Sequence, residues 1–135
     1  MGAVSRAAQE SHAQLHGVIP DFLKTVEQVL PGTYELDVYE TMAQRRLRMI
    51  ELGDAFVALP GGAGTLDEIS EIITLKNIGI LNKPCILFNW KGYYEPLAAF
   101  YDQMRMAGFM HWDIRQLVYL ADDAEDIMQG IGGGV

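Results

Sequence analysis

The chain has 135 residues, half of them apolar, with 21% charged and 10% aromatic, proportions that fit one globular domain with a core and exclude a disordered tail. Its 18 acidic against 10 basic side chains leave a net charge of −8 at pH 7, a field that repels polyanions and argues against long nucleic acid as a partner. The lone cysteine, Cys85, excludes an intramolecular disulfide and a thiolate metal cluster, and it points to a reducing, cytoplasmic setting.

In chain order, Gly2 to Ser11 reads as a helix; Arg6, Glu10, His12 and His16 occupy the place where an export signal would carry an apolar core. No apolar run approaches the roughly 20 residues that span a bilayer, so no membrane is expected. Leu15 to Ile19 is predicted to be a short strand ended by Pro20. A loose segment follows, and Tyr34 to Val38 then alternates as a strand. Thr41 to Leu52 has helical spacing, with Met42, Met49 and Leu52 apolar and Gly53 placed to stop it. This helix carries the one dense cationic spot, Arg45, Arg46 and Arg48, where a small anion can bind despite the overall charge. Arg45 shares a stripe with Met42 and Met49, which turns it toward protein. For Arg46 and Arg48 a solvated helix face and a binding role both stay open.

Ala55 to Leu59 is a continuous apolar run, predicted to be a strand buried on both faces, and it leads into Pro60-Gly61-Gly62-Ala63-Gly64-Thr65. From Thr65 the apolar positions Leu66, Ile69, Ile72 and Ile73 recur at helical spacing to about Ile78. Lys83-Pro84 then opens a strand from Cys85 to Phe88. Pro96 suits the first turn of a helix running to Ala107, with Gly108 at its exit. Leu117 to Leu120 is the last expected strand, Asp122 with Glu125 resembles a capping pair for a final helix, and Gly130 to Val135 is expected to fray. Alternation of this kind predicts an α/β fold, a parallel sheet covered by helices, as a single domain over residues 1–129 with a flexible tail at 130–135.

A glycine-rich turn between a buried strand and a helix lets the backbone approach a ligand, because no β-carbon intervenes, and it gathers free N–H groups at the positive end of a helix dipole. Gly62, Gly64 and Thr65 thereby form a candidate phosphate cradle. The turn lacks the Gly-Lys-Ser/Thr of a Walker loop and the spacing of the dinucleotide fingerprint. A plainer reading of Thr65-Leu66-Asp67-Glu68 is a capping box. An acidic group one turn from an anion cradle is costly without a task or a nearby cation, which singles out Glu68. His12, His16 and His111 lack metal-ligand spacing and are expected to be structural or exposed. Trp90, Tyr93 and Tyr94 are expected to pack, with stacking on a base as the alternative.

Pro60-Gly61-Gly62-Ala63-Gly64-Thr65-Leu66-Asp67-Glu68 resembles the PGGxGTxxE motif of the Lonely Guy family, long mislabelled as lysine decarboxylases. Met42-Ala43-Gln44-Arg45-Arg46 resembles that family's second motif, with Arg46 in place of its usual lysine. The resemblance continues through Gly79-Ile80, Lys83-Pro84, Asn89, Gly92-Tyr93-Tyr94 and Gly108-Phe109. It implies a Rossmann-like fold and hydrolysis of the N-glycosidic bond of a purine nucleoside 5'-monophosphate, AMP or a cytokinin nucleotide, to free base and ribose 5-phosphate, with no metal or organic cofactor. Glu68 matches the family's catalytic glutamate and Arg45 its catalytic arginine. Gly61, Gly62, Gly64 and Thr65 match the phosphate-binding turn, and Met42 and Arg46 fall in the substrate-binding second motif.

The chemistry fits these residue types. Breaking a ribosyl C–N bond puts oxocarbenium character on the sugar, which a carboxylate near the anomeric carbon stabilises while it activates water. A guanidinium stays protonated and is suited to orienting rather than to accepting a proton. Relatives begin with a strand, a Cys-Gly-Ser-Ser type loop and a helix that have no counterpart before Met1-Gly2-Ala3-Val4-Ser5. The fold is accordingly expected to be N-terminally truncated relative to the family by roughly 30 residues or more. Exposed sheet edge then favours a homodimer or larger assembly, as is common in the family. One branch of the superfamily carries molybdenum cofactor without hydrolysing it, so a nucleotide or cofactor carrier is the alternative; the joint presence of Arg45 and Glu68 favours the enzyme. Lysine decarboxylation would need a lysine carrying pyridoxal phosphate, which no motif supports.

Overall fold

A computed structural model describes residues 2–23 and 34–133. Within them the architecture is α/β and Rossmann-like, with parallel strands interleaved with five α-helices. The chain divides into two compact units, Met1–Leu52 and Gly53–Val135.

The first unit holds α1 (Gly2–Glu10), β1 (Leu15–Pro20), β2 (Tyr34–Tyr39) and α2 (Met42–Leu52). β1 and β2 pair in parallel, from Leu15 opposite Tyr34 to Pro20 opposite Tyr39. Pro20 closes β1 because it has no N–H to give the ladder. A short 3-10 turn, Asp21–Leu23, opens the expected loose segment, whose remainder, residues 24–33, lies outside the described residues. α2 starts at a capping box: the Gln44 N–H donates to Thr41 Oγ1 at 3.2 Å, and the Thr41 N–H donates to Gln44 Oε1 at 3.3 Å.

Polar side chains fasten much of this unit. His16 on β1 sits with Nδ1 3.2 Å from Glu35 Oε2 and Nε2 3.1 Å from Asp37 Oδ2, both on β2. Arg48 on α2 donates Nε to the same Asp37 oxygen at 2.9 Å and brings Nη1 within 3.5 Å of Glu51. The Arg48 hydrogen bond, with a smaller contribution from His16, holds the Asp37 carboxyl below the usual aspartate range. His16 thus has the structural role expected of it. Among the described residues of this unit only Ile19 and Pro20 are buried.

The second unit runs β3 (Phe56–Ala58), α3 (Ala63–Asn77), β4 (Cys85–Phe88), α4 (Glu95–Met106), β5 (Tyr119–Ala121) and α5 (Ala124–Gly133). Its sheet is parallel in the order β3-β4-β5. The central strand is dry: Cys85, Ile86 and Leu87 are 0% exposed, as befits a strand covered on both faces. Ile69, Ile72 and Ile73 of α3, Ala98 of α4, and Ile114 and Val118 before β5 complete the core. Each large aliphatic side chain so buried contributes about 1.5–3 kcal/mol. Burial pushes the Cys85 thiol up to about 12, so it is packing and not a nucleophile.

Four sequence expectations are corrected here. β3 is the end strand in the order given for this unit's described residues, and Val57 on it is 39% exposed, so its apolar run is not buried throughout. The last strand begins at Tyr119, because Asp113 caps a 3-10 turn at Ile114–Gln116 that takes up the preceding residues. The final helix is capped one residue later than expected: Asp123 Oδ1 accepts from the Asp126 N–H at 2.9 Å, and Asp126 Oδ2 accepts from the Asp122 N–H at 3.2 Å. α5 also continues to Gly133, through the start of the segment expected to fray. Gly130 is buried there against β4 and β5, where a Cβ would lie 2.8 Å from Tyr119 Cδ1 and 3.0 Å from Ile86 Cγ1. The terminal residues 134–135 lie outside the described residues.

Candidate functional site

The turn joining β3 to α3 is where the sequence places its glycines, and the structure explains them by different causes. Gly61 is glycine because Thr65 folds beneath it, and a Cβ at position 61 would collide with Thr65 Oγ1. Gly62 and Gly64 answer to neither packing nor backbone strain. Nothing lies within 4 Å of a Cβ at either position, and neither is among the positive-φ glycines. Gly64, inside the first helical turn, costs up to roughly 1 kcal/mol relative to alanine, whereas Gly62 sits at the N-cap, where glycine is tolerated. Open space over bare backbone is what a close-approaching ligand needs.

α3 begins at Ala63 with Gly62 as its N-cap, and no side chain caps it. The capping-box reading of Thr65 and Glu68 is therefore corrected: Thr65 lies inside the first turn, two residues past the start. The opening amides of a helix have no intrahelical acceptor and sit at the positive end of its dipole, so this end is suited to an anion. Glu68 is half-buried and lies one turn beyond Gly64 on the same helix face. Helical side chains lean toward the N-terminus, so position 68 shares the helix face that Gly64 leaves bare.

Two tyrosines hold the turn. The Tyr93 hydroxyl donates to the Gly61 carbonyl at 2.5 Å, and the Tyr94 hydroxyl donates to the Leu59 carbonyl at 2.7 Å. Their rings meet edge-on, centroids 5.1 Å apart at 87°. Burial pushes the Tyr94 phenol up, keeping it a donor across the physiological range. Asn89, itself buried at the end of β4, sets this pair: its Oδ1 accepts from the Tyr94 N–H at 2.8 Å, its Nδ2 donates to Glu95 Oε1 at 3.1 Å, and its N–H donates to the Ala121 carbonyl at 2.7 Å. Lys91 at φ 54° and Gly92 at φ 75° turn the chain into the tyrosines. Sequence reasoning expects these aromatics to pack, and Tyr94 does. The hydroxyl contacts to the glycine turn escape it.

Met42, Arg45 and Arg46 belong to the first two turns of α2, in the first unit. Arg45 Nε donates to the Val18 carbonyl of β1 at 2.8 Å. A guanidinium is a planar fork, so anchoring Nε on a fixed carbonyl orients the whole group. Arg48, whose role the sequence leaves open, is an ion-pairing residue for Asp37 and Glu51. Among the described residues no group of three or more His, Cys, Asp or Glu has metal-holding geometry, and no helix is long and apolar enough to cross a membrane.

The family model described as possible lysine decarboxylase matches residues 1–131. The chain is 40% identical to the cytokinin riboside 5'-monophosphate phosphoribohydrolase of Rhodococcoides fascians, covering 97% of this chain and 67% of that protein. It is 40% identical to a probable cytokinin riboside 5'-monophosphate phosphoribohydrolase of Oryza sativa subsp. japonica, over 95% of this chain and 61% of that protein. It is 38% identical to a cytokinin riboside 5'-monophosphate phosphoribohydrolase of Arabidopsis thaliana, over 96% of this chain and 60% of that protein. The chain thus spans about two thirds or less of these relatives' length.

Proposed function

Since the chain belongs to the family described as possible lysine decarboxylase, and the relatives named above carry the name cytokinin riboside 5'-monophosphate phosphoribohydrolase, we propose that it hydrolyses purine nucleoside 5'-monophosphates, AMP or a cytokinin nucleotide, to free base and ribose 5-phosphate. The observation that carries this reading is the opening of α3: uncapped amides beside two glycines that neither packing nor φ requires, with an acidic side chain one turn on.

The 5'-phosphate is held by the amides at Gly62, Gly64 and Thr65, with Gly61 giving Thr65 its space. Glu68 faces the positive charge that builds on the sugar as the C–N bond breaks, and it accepts a proton from the water that adds to the anomeric carbon. The bonding electrons leave with the base, which takes up a proton. Arg45 orients the nucleotide as a fixed cation, and Met42 and Arg46 of the same helix contact substrate. The family's descriptive label fits less well. Lys76 Nζ donates to the Lys83 carbonyl and Lys83 Nζ to the Gly53 carbonyl, both at 2.7 Å, so these lysines tie segments of the second unit together.

Incubating the chain with AMP and with a cytokinin nucleotide, and following free base by chromatography, tests the reading. Adenine with equimolar ribose 5-phosphate, lost in Glu68→Gln, is the expected result; retention of intact nucleotide without base release would sink it. The same reading has the protein act in the cytoplasm as an assembly of two or more copies. Met106 and Phe109, 75% and 88% exposed, support association, and light scattering across concentrations checks it.

A further inference from the structure

We infer that Tyr93 is a positioning residue for the phosphate-binding turn, its hydroxyl holding the Gly61 carbonyl so that the Gly62 N–H is aimed at the anion. The inference rests on the proposed function and goes beyond it to a side chain 32 residues from the turn. In a trans peptide the C=O and the following N–H point in opposite directions across one rigid plane. Fixing the Gly61 oxygen on one side therefore fixes the Gly62 hydrogen on the other. The constraint matters here because glycines flank that peptide and no side chain caps the helix beyond it, so the local sequence does little to stop the plane from rotating.

Tyr94 supplies the internal contrast. It makes the same kind of bond, to the Leu59 carbonyl, but the next residue is Pro60, which has no N–H. The Tyr94 bond therefore anchors the strand exit without aiming a donor. Two adjacent tyrosines perform similar chemistry on carbonyls two residues apart, and only one of them orients a group that can touch phosphate. Tyr93 is half-exposed and Tyr94 is 5% exposed, so the first is the less needed for packing.

The experiment is calorimetric titration of the full chain and its Tyr93→Phe and Tyr94→Phe variants with ribose 5-phosphate, with ribose as the control lacking the anion. Losing one hydrogen bond's worth of preorganisation weakens ribose 5-phosphate binding by about three- to tenfold in Tyr93→Phe. In turnover the same variant raises KM for the nucleotide and leaves kcat in place, whereas Tyr94→Phe lowers the thermal midpoint and leaves affinity unchanged. Should Tyr93→Phe fail to fold, the Gly62 amide of the unaltered chain still decides: its NMR resonance must be among those that move most on titration. A Gly62 amide indifferent to ribose 5-phosphate, or equal affinity in Tyr93→Phe and the parent, overturns the inference while leaving hydrolysis standing. A parent chain that binds no ribose 5-phosphate removes the phosphate turn itself, and the proposed function falls with it.

Discussion

The two units of this chain are held together by different physics. In Gly53–Val135 a central strand with Cys85, Ile86 and Leu87 wholly out of water is covered by aliphatic side chains from two helices, α3 and α4, and from the segment before β5. In Met1–Leu52 the described residues bury only Ile19 and Pro20, and a run of polar and ionic contacts from Glu35 through His16 and Asp37 to Arg48 and Glu51 links the two strands to α2. Core packing is insensitive to pH and salt, whereas exposed ion pairs are weak individually and respond to both. The glycine turn and Glu68 belong to the well-packed unit, which suits preorganised chemistry; Arg45 belongs to the charge-linked one.

Glu68→Gln gives the largest expected effect, a fall in base release of about a hundred- to ten-thousandfold with folding intact, because it removes a positioned acid–base group and nothing from the core. A loss under about tenfold would mean that the chemistry is not anchored in the packed unit. Next comes Ile86→Ala, expected to cost about 2–5 kcal/mol in urea unfolding. Its counterpart Leu47→Ala, at a position 59% exposed on α2, is expected to stay within about 0.5 kcal/mol. Equal costs would erase the contrast. Asp37→Asn sharpens it by pH. The Asp37 carboxyl is depressed in the folded chain, so its contribution is complete above its unfolded pKa of about 4 and is lost as pH falls through the lower folded value. Parent and variant should therefore differ most at neutral pH and converge in acid, as read by denaturant melts at several pH values; a gap that widens in acid would reverse the assignment. The smallest effect has opposite signs in two assays. Gly64→Ala should stabilise the fold by about 0.5–1 kcal/mol through helix propensity, yet weaken nucleotide binding, because its methyl enters the space left open for ligand.

The strand, turn and helix that carry the site were legible because three local signals coincide: an apolar run, clustered glycines and isoleucines at helical spacing. The start of α3 was not, since a helix capped by Gly62 offers no side-chain signal and Thr65 imitates a cap two residues downstream. Asp122 and Asp123 are both competent caps, and only the backbone chooses between them. Val57 reads as buried because it falls within a continuous apolar run, and such a run does not say which of its residues packing covers. Gly130 reads as the onset of a tail, although it is glycine so that α5 can approach Tyr119. The tyrosine contacts to Leu59 and Gly61 span 35 and 32 residues, a distance at which no periodicity or spacing in one sequence carries a trace.

Cys85 lies sealed in the central strand with its thiol pushed up to about 12. Thiol-directed reagents act on thiolate and need access, so the native chain offers them a chemically silent background. A cysteine placed at Phe109, 88% exposed, would then be the single point of maleimide attachment, and a fluorophore there could report on assembly without first removing the native sulfur.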